Sequence, residues 1–448
     1  MAIPVRRRPL DPGIRLTIRG RTVRLRALRR PPSGLLWLLS ILGPGLVAAN
    51  AGNDAGGIAT YASAGAKYGY DLLWVILIIT LSLAVVQEMA ARLGAATGRG
   101  LLDLVRERFG IGWALFAVAV VLLANMSVTV TEFLGIRAAL ELFGISPWVS
   151  VPLAAAGLWW LVVRGSYRPV EKVFVAMTLV FLAYPAAAVL AHPDWGEVAR
   201  RTVLPTVHGD SDFLLLLVAT VGTTVSAYQP LFQQSAVVER RSLGRYYGPE
   251  RWDVYVGAAF SQLVAWFIIV ATAATLHLAG ATDINTAGEA AEALAPVAGQ
   301  YARVLFAVGI LGASLLAGAV LPLATAYSVS EAFGFRKGVN LDFRRAPIFV
   351  GLFTVLLVFG ALVALFPGLP VWALLIAIQV LNGLLLPVVL VFLILLLNDR
   401  RLVGDLANGH VSNLLAWLTA IVLAVLSALL LGSSALQAAG LNLFGASG

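Results

Sequence analysis

The sequence predicts an all-α, polytopic membrane protein of about eleven spanning helices, two of them broken in mid-membrane. Three observations predict it. The chain of 448 residues is 60% hydrophobic and only 12% charged, with a mean hydropathy of +0.88; a soluble chain carries about a quarter charged residues. Apolar runs of spanning length, ~20 residues, recur from Leu35 to about Leu431. Two of those runs, the first and the sixth, contain residues that a lipid-facing helix does not hold.

In order, the spans are expected at 35–62, 71–92, 112–137, 147–163, 171–191, 212–238, 254–279, 301–331, 347–366, 371–397 and 412–432. The first run is no signal peptide: it is long, carries an acid and continues into further spans. Ahead of it, residues 1–34 form a basic tail with ten arginines from Arg6 to Arg30 against the single acid Asp11. The loops then alternate. Arginines follow span two (Arg92, Arg99, Arg106, Arg108), span four (Arg164, Arg168), span six (Arg240, Arg241, Arg245, Arg251), span eight (Arg336, Arg344, Arg345) and span ten (Arg400, Arg401). The intervening loops are poor in Lys and Arg, and 192–211, with Arg200 and Arg201 among acids, is the exception. The positive-inside rule places the N-terminus in the cytoplasm and the C-terminus outside, in agreement with an odd span count. The formal charge of +9 is therefore an orientation signal and a contact with anionic lipid, and nucleic acid is excluded as a partner. With no cysteine, disulfides and thiolate metal sites are excluded too.

Span one carries "NAGNDAGGIAT", with Gly52, Gly56 and Gly57 around Asp54; span six carries "VSAYQPLFQQSA", with Pro230 in mid-run. Backbone leaves the helix at membrane depth only where it is buried or lines a wet cavity. Either interruption alone is equally well a kink. The pair lies five spans apart, as two five-helix repeats of opposite orientation would place it, and matched interruptions point to a transporter's central site. The domains expected on this basis are the tail at 1–34, a first repeat at 35–191, a second at 212–397, and an eleventh helix with an extracellular C-terminus at 398–448. An intramembrane acid costs several kcal/mol unless it is paired or coordinates something. A carboxylate beside freed carbonyls is a hard-oxygen cation site.

The stretch "GPGLVAANAGNDAGGIATYASAGAKYGYDLLWVILI", running on to "AARLGAATGRGLLDLVRERFG", resembles the NRAMP family of divalent-metal transporters. The segment from Gln379 to Pro387 fits as well, and the likeness covers most of 41–400. The resemblance implies a LeuT-like fold of two inverted five-helix repeats, a metal site at the breaks of helices one and six, and proton-coupled import of manganese or iron. The departures matter. Where the family has Asp-Pro-Gly-Asn, this chain has Asp54–Ala55–Gly56–Gly57; where it has Met-Pro-His, this chain has Ala227–Tyr228–Gln229. Two helix-six histidines become Gln229 and Gln234, and a helix-three acid becomes Thr129 while Glu132 remains. Gly57 and Ala227 leave room where longer side chains would project. Thioether selects soft transition metals, whereas carboxylate, carbonyl and water suit magnesium, calcium and manganese. The pattern is most like the NRAMP-related magnesium transporters.

The expected metal residues are Asp54, Asn53, Gly57, Ala227, Tyr228, Gln229 and Gln379. Asp54 is either the ligand or a structural buried acid bonded to a helix end; backbone carbonyls near Ala227 and Tyr228 either contact the ion or its water or are ordinary hinge backbone. Gln229 either presents its amide oxygen or bonds between helices, and Asn53 either supports Asp54 or packs. Gln379 sits where the family's site is completed in some states. Glu132 is either a second acid on the ion path or the partner of an intracellular arginine. His192, His208, His277 and His410 fall at span ends, so no histidine site is expected inside the bundle. The expectation is Mg²⁺ uptake, with Mn²⁺ as second substrate, by alternating access without obligatory proton coupling. Its rivals are a proton-coupled Mn²⁺/Fe²⁺ symporter and an organic-cation or amino-acid transporter. A metal sensor would need an output domain that the short tails do not provide. No enzyme constellation, no cofactor and no obligate protein partner are expected.

Overall fold

In the computed structural model, residues 14–18, 21–25, 51–164, 183–239, 247–336 and 343–438 are described. The first half of span one, including Gly43–Pro44–Gly45, and the first half of span five lie outside them. The tail is not wholly irregular. Strands β1 (Ile14–Ile18) and β2 (Arg21–Leu25) pair antiparallel, with Ile14 opposite Leu25 and Leu16 opposite Val23. The β-branched alternation that favours this is overshadowed by the arginines when the tail is read for charge. Residues 1–42 form a unit of their own.

The rest is helical. Helix α1 (Ala55–Tyr68) follows a short 3₁₀ turn at Ala51–Asn53. It is so rich in Ala and Gly that residues 55–66 are all buried. α2 (Leu73–Thr97) returns across the bundle, and α3 (Leu101–Phe109) is a short amphipathic helix that buries Leu101, Leu102, Leu104 and Val105. α4 (Ile111–Glu141) is the central pillar and α5 (Pro147–Arg164) packs beside it. α6 (Ala183–Leu190) is the described part of span five. α7 (Trp195–Val203) is a second short amphipathic helix. α8 (Ser211–Thr224) and α9 (Tyr228–Glu239) are the two halves of span six. α10 (Tyr247–Thr272) runs into a π-turn at Ala273–His277. After short helical turns between Ala287 and Tyr301 come α11 (Ala302–Phe333), α12 (Pro347–Ala364), α13 (Val371–Asn398) and α14 (His410–Ala438).

Among the described residues, nine segments are long and apolar enough to cross a membrane. The bundle is compact where small residues allow it. A Cβ at Gly135 of α4 would overlap both Ala55 of α1 and Ser314 of α11, so three helices meet there. At Gly65 it would lie 2.5 Å from the Ile269 carbonyl, so α1 and α10 touch backbone to backbone. α9 packs on α2 as α1 packs on α10, and α4 packs on α11.

The irregular charge of 192–211 has a local explanation. Asp194 caps α7 by accepting from the N–H groups of Gly196 and Glu197. Glu197 binds Arg200 and Arg201, whose hydrogen bonds pull its carboxyl down to about 2. Arg201 also reaches Asp71 at 2.6 Å. Each of these arginines is paired where it stands.

The same end of the molecule holds the last turn of α1 in place from several sides. Lys67 meets Asp212 at 2.6 Å and Asp283 at 3.6 Å. The Tyr68 hydroxyl donates to Asp210, and His208 bonds Asp71 at 2.6 Å. The ring of His277 bonds the Ala66 carbonyl at 2.8 Å, and Trp372 donates to Ser63 at 2.9 Å.

Candidate functional site at the two helix breaks

The interruption expected in span six is present and lies just before the proline that suggested it; in span one the described residues begin at the turn that opens α1, and the part before it lies outside them. In span six, α8 ends at Thr224, Val225 turns off with φ −111 and ψ 79, and α9 starts at Tyr228. Pro230 is therefore in the first turn of α9, where a helix has no use for its N–H. It does not break the helix; the turn at Val225–Ala227 does. In span one, Gly56 and Gly57 belong to the first turn of α1, and the chain turns at 51–54.

Asp54 is the N-cap of α1. Its side chain accepts the Gly57 N–H at 2.7 Å, and it is wholly buried. A cap acid satisfies one of a helix's four free donors, and the positive end of the half-helix favours the charge. Gln379 of α13 donates to the same carboxylate, at 3.2 Å to Oδ1 and 3.5 Å to Oδ2. It does so by lying across Gly56, where any Cβ would collide with its amide. Glu132 of α4 completes the cluster. It is fully buried, takes a bond from Thr131 at 3.2 Å, and sets its carboxyl against both Asp54 and the Ala55 N–H. Of its two expected roles, the structure gives it the neighbourhood of Asp54 and no arginine partner among the described residues. Asp54 is thus not the lone acid at the breaks.

The other expected residues divide. Asn53 turns toward α10 and donates to the Ser261 carbonyl at 3.1 Å. The ring of Tyr228 packs against Val128, Ala317 and Leu321. Gln229 accepts a long 3.5 Å bond from Gln87 of α2, and its Nε2 lies over Gly52. Ala227 is buried, and its N–H points to Asn382 of α13 at 3.4 Å.

Two expectations need correction. Gly57 does not open space: a Cβ there would lie 2.6 Å from the Gly52 carbonyl oxygen and 2.8 Å from Thr223 Oγ1. The turn at 51–53 and α8 have closed over the position. The carbonyls expected at Ala227 and Tyr228 stand at the start of α9, and a helix start presents N–H groups rather than carbonyls. The carbonyl-bearing ends at the site are the 51–53 turn and the end of α8.

Among the described residues no cluster of three His, Cys, Asp or Glu exists. His208 and His277 are engaged at the end of α1, away from Asp54. Met89 is buried in the apolar core. The buried oxygens Gln379 Oε1, Glu132 Oε2 and Asn53 Oδ1 lack hydrogen-bond partners. The arrangement is two carboxyls with amides and carbonyls: oxygen chemistry fit for a hard cation.

The family model described as natural resistance-associated macrophage protein-like matches residues 45–433. The chain belongs to the NRAMP family. A Deinococcus radiodurans protein named divalent metal cation transporter MntH is 31% identical over 89% of this chain and 91% of its own length. A Klebsiella pneumoniae protein of the same name is 28% identical over 88% and 94%. The fold matches a crystal structure of the Eremococcus coleocola manganese transporter with TM-score 0.70, at 22% identity over 89% of this chain and 88% of that one. It also matches MhsT in complex with L-phenylalanine, with TM-score 0.57 and 14% identity over 87% and 97%. The LeuT-like fold expected of an NRAMP chain is therefore the fold observed, and none of these relatives is an enzyme.

Proposed function

We propose that this NRAMP protein carries divalent cations across the membrane, with Mg²⁺ as its principal substrate and Mn²⁺ as a second. Relatives named for divalent-metal transport support the coarser part. One observation carries the finer part: the fully buried Asp54 at the start of α1 has a second carboxyl, Glu132, beside it, with Ala227 where the family resemblance would put a sulfur ligand. Thioether is what favours soft metals at a mixed site. A substrate carboxylate would be repelled by Asp54 and Glu132 together, which argues against an amino-acid cargo. The N-terminus is cytoplasmic, the C-terminus extracellular, and the arginine-rich end of the bundle faces anionic lipid.

Transport is by alternating access and without obligatory proton movement. A relay across the membrane needs a chain of titratable groups. Asp54 and Glu132 are neighbours, but Thr129, Gln229 and Gln234 cannot extend them. The second reading is a proton-coupled Mn²⁺ symporter, and the carboxyl pair is the observation that favours it.

One experiment tests both. Purified protein in liposomes holding a pH-sensitive dye is given Mg²⁺ or Mn²⁺ outside under an inside-negative potential. A divalent ion gains about twice the ~2.3 kcal/mol per charge per 100 mV, enough to drive entry. Metal uptake with a flat pH trace is expected. Metal-dependent acidification of the interior would establish the symporter, and absence of Mg²⁺ uptake beside Mn²⁺ uptake would overturn the preference.

A further inference from the structure

The break in span six is held open by a residue of another helix. In a continuous helix the Gly222 carbonyl would accept from the N–H of residue 226, and the N–H of residue 227 would donate to the carbonyl of residue 223. The last regular bond is Val225 N–H to Val221 at 3.0 Å. Beyond it, the Asn382 amide of α13 spans the gap. Its Nδ2 donates to the Gly222 carbonyl at 2.8 Å, and its Oδ1 accepts from the Ala227 N–H at 3.4 Å. The side chain is 1% exposed. One planar amide thus does the work of a missing peptide unit.

Two glycines make this reach possible. A Cβ on Gly222 would fall 2.6 Å from Gly383 N, and one on Gly383 would fall 3.0 Å from the Val218 carbonyl. The α8 and α13 backbones are in contact, so a side chain as short as Asn bridges the break. Ser226 Oγ shares the load, at 3.2 Å from the Gly222 carbonyl and 3.0 Å from that of Thr223, but it lies on the broken helix itself and does not tie it to anything. One turn before Asn382, Gln379 on the same α13 holds Asp54. A single helix therefore fixes both breaks, three residues apart.

We infer that Asn382 is a positioning residue for the cation site. It sets the distance and angle between the end of α8 and the start of α9, and so where the Thr223 and Thr224 carbonyls, which stand by Gly52, lie relative to the turn that carries Asp54. The inference rests on the transport reading for its functional part. The chemistry demands one donor and one acceptor on a short arm. Leu supplies neither, and Asp supplies an acceptor but turns a second oxygen on the Gly222 carbonyl.

The test uses the full-length protein and the variants N382L, N382D and S226A. Backbone hydrogen exchange over 222–228, which needs no transport activity, is expected to quicken at least tenfold in N382L and less in S226A. In liposomes, N382L is expected to raise the KM for Mn²⁺ uptake at least tenfold with the maximal rate within threefold of the parent, and S226A to leave KM within twofold. A merely structural Asn would lower the amount of folded protein and leave KM alone. If N382L is not recovered as a monodisperse protein, N382D is read in the same way, with at least a threefold rise in KM. Unchanged exchange in the recovered variant overturns the splint, whatever the protein transports. Changed exchange with unchanged KM overturns the positioning role. A parent protein that takes up neither Mn²⁺ nor Mg²⁺ sinks the transport reading instead, and exchange alone then decides the splint.

Discussion

Asp54 has no substitute among its neighbours. Gly57 and Gln379 only donate to it, and Glu132, on another helix, takes the Ala55 N–H and not the Gly57 N–H that Asp54 caps. Asp54→Ala is therefore expected to abolish Mg²⁺ and Mn²⁺ binding, measured by calorimetry on protein that still elutes as a single species; binding within twofold of the parent would remove Asp54 from the site. Ala227 is buried at the break, and Gly57 has no room for a side chain. Ala227→Met adds a soft ligand and is expected to raise Cd²⁺ affinity about tenfold relative to Mg²⁺, while Gly57→Asn is expected to lower thermal stability by about 1–3 kcal/mol through overpacking. Unaltered ion preference in the first variant, or an unaltered melting temperature in the second, would contradict these assignments. Asp54 was legible in the sequence because a carboxylate in an apolar run demands an explanation. Asn382 was not. Its partners Gly222 and Ala227 lie about 160 positions away, and only the close approach of two glycines makes it a bridge. An amide three residues after Gln379 in an otherwise apolar span was the available signal.

At the scale of elements, nine of the expected spans coincide with described helices to within about seven residues, and the expected break in span six is there; the first halves of spans one and five lie outside the described residues. The sequence misplaced the cause in span six because a proline draws the eye, although its harmless position is the first turn of a helix. The short helices α3 and α7 were read as loops, since nine residues with several charges carry no membrane signal. The start of α8 shows how such connections matter. Asp210 caps that helix through the Phe213 N–H at 2.8 Å and receives the Tyr68 hydroxyl. Burial alone would push its carboxyl up, but these hydrogen bonds outweigh burial and hold it below its ordinary value. The stability it lends is complete above the usual carboxylate range, about pH 4, and is lost as pH falls through the depressed value. Asp210→Ala is expected to cost about 1 kcal/mol at neutral pH and to flatten the loss of melting temperature between pH 5 and 3. A parallel acid profile in parent and variant would show that Asp210 carries none of it.

For the whole molecule, we propose that the alternation of basic loops sets the orientation, with the ion-paired arginines of α7 as its one exception. Because the chain contains no cysteine, single cysteines report sidedness cleanly. A cysteine at Thr282 is expected to react with an impermeant maleimide on intact cells and one at Arg344 only after lysis; the reverse pattern would invert the topology. We further propose that the two five-helix repeats, at 35–191 and 212–397, are related by inversion, consistent with α1 meeting α10 as α9 meets α2. The pinned last turn of α1 has a kinetic consequence. Any motion that swings that end of the half-helix outward parts Lys67 from Asp212, Tyr68 from Asp210 and Ala66 from His277 in one step. Each contact broken adds to the activation enthalpy of that step, so turnover should rise more steeply with temperature in the parent than in a variant that lacks one of them. Lys67→Met should flatten that slope in an Arrhenius plot of uptake, because the most charged of the fasteners is already undone before the helix begins to move.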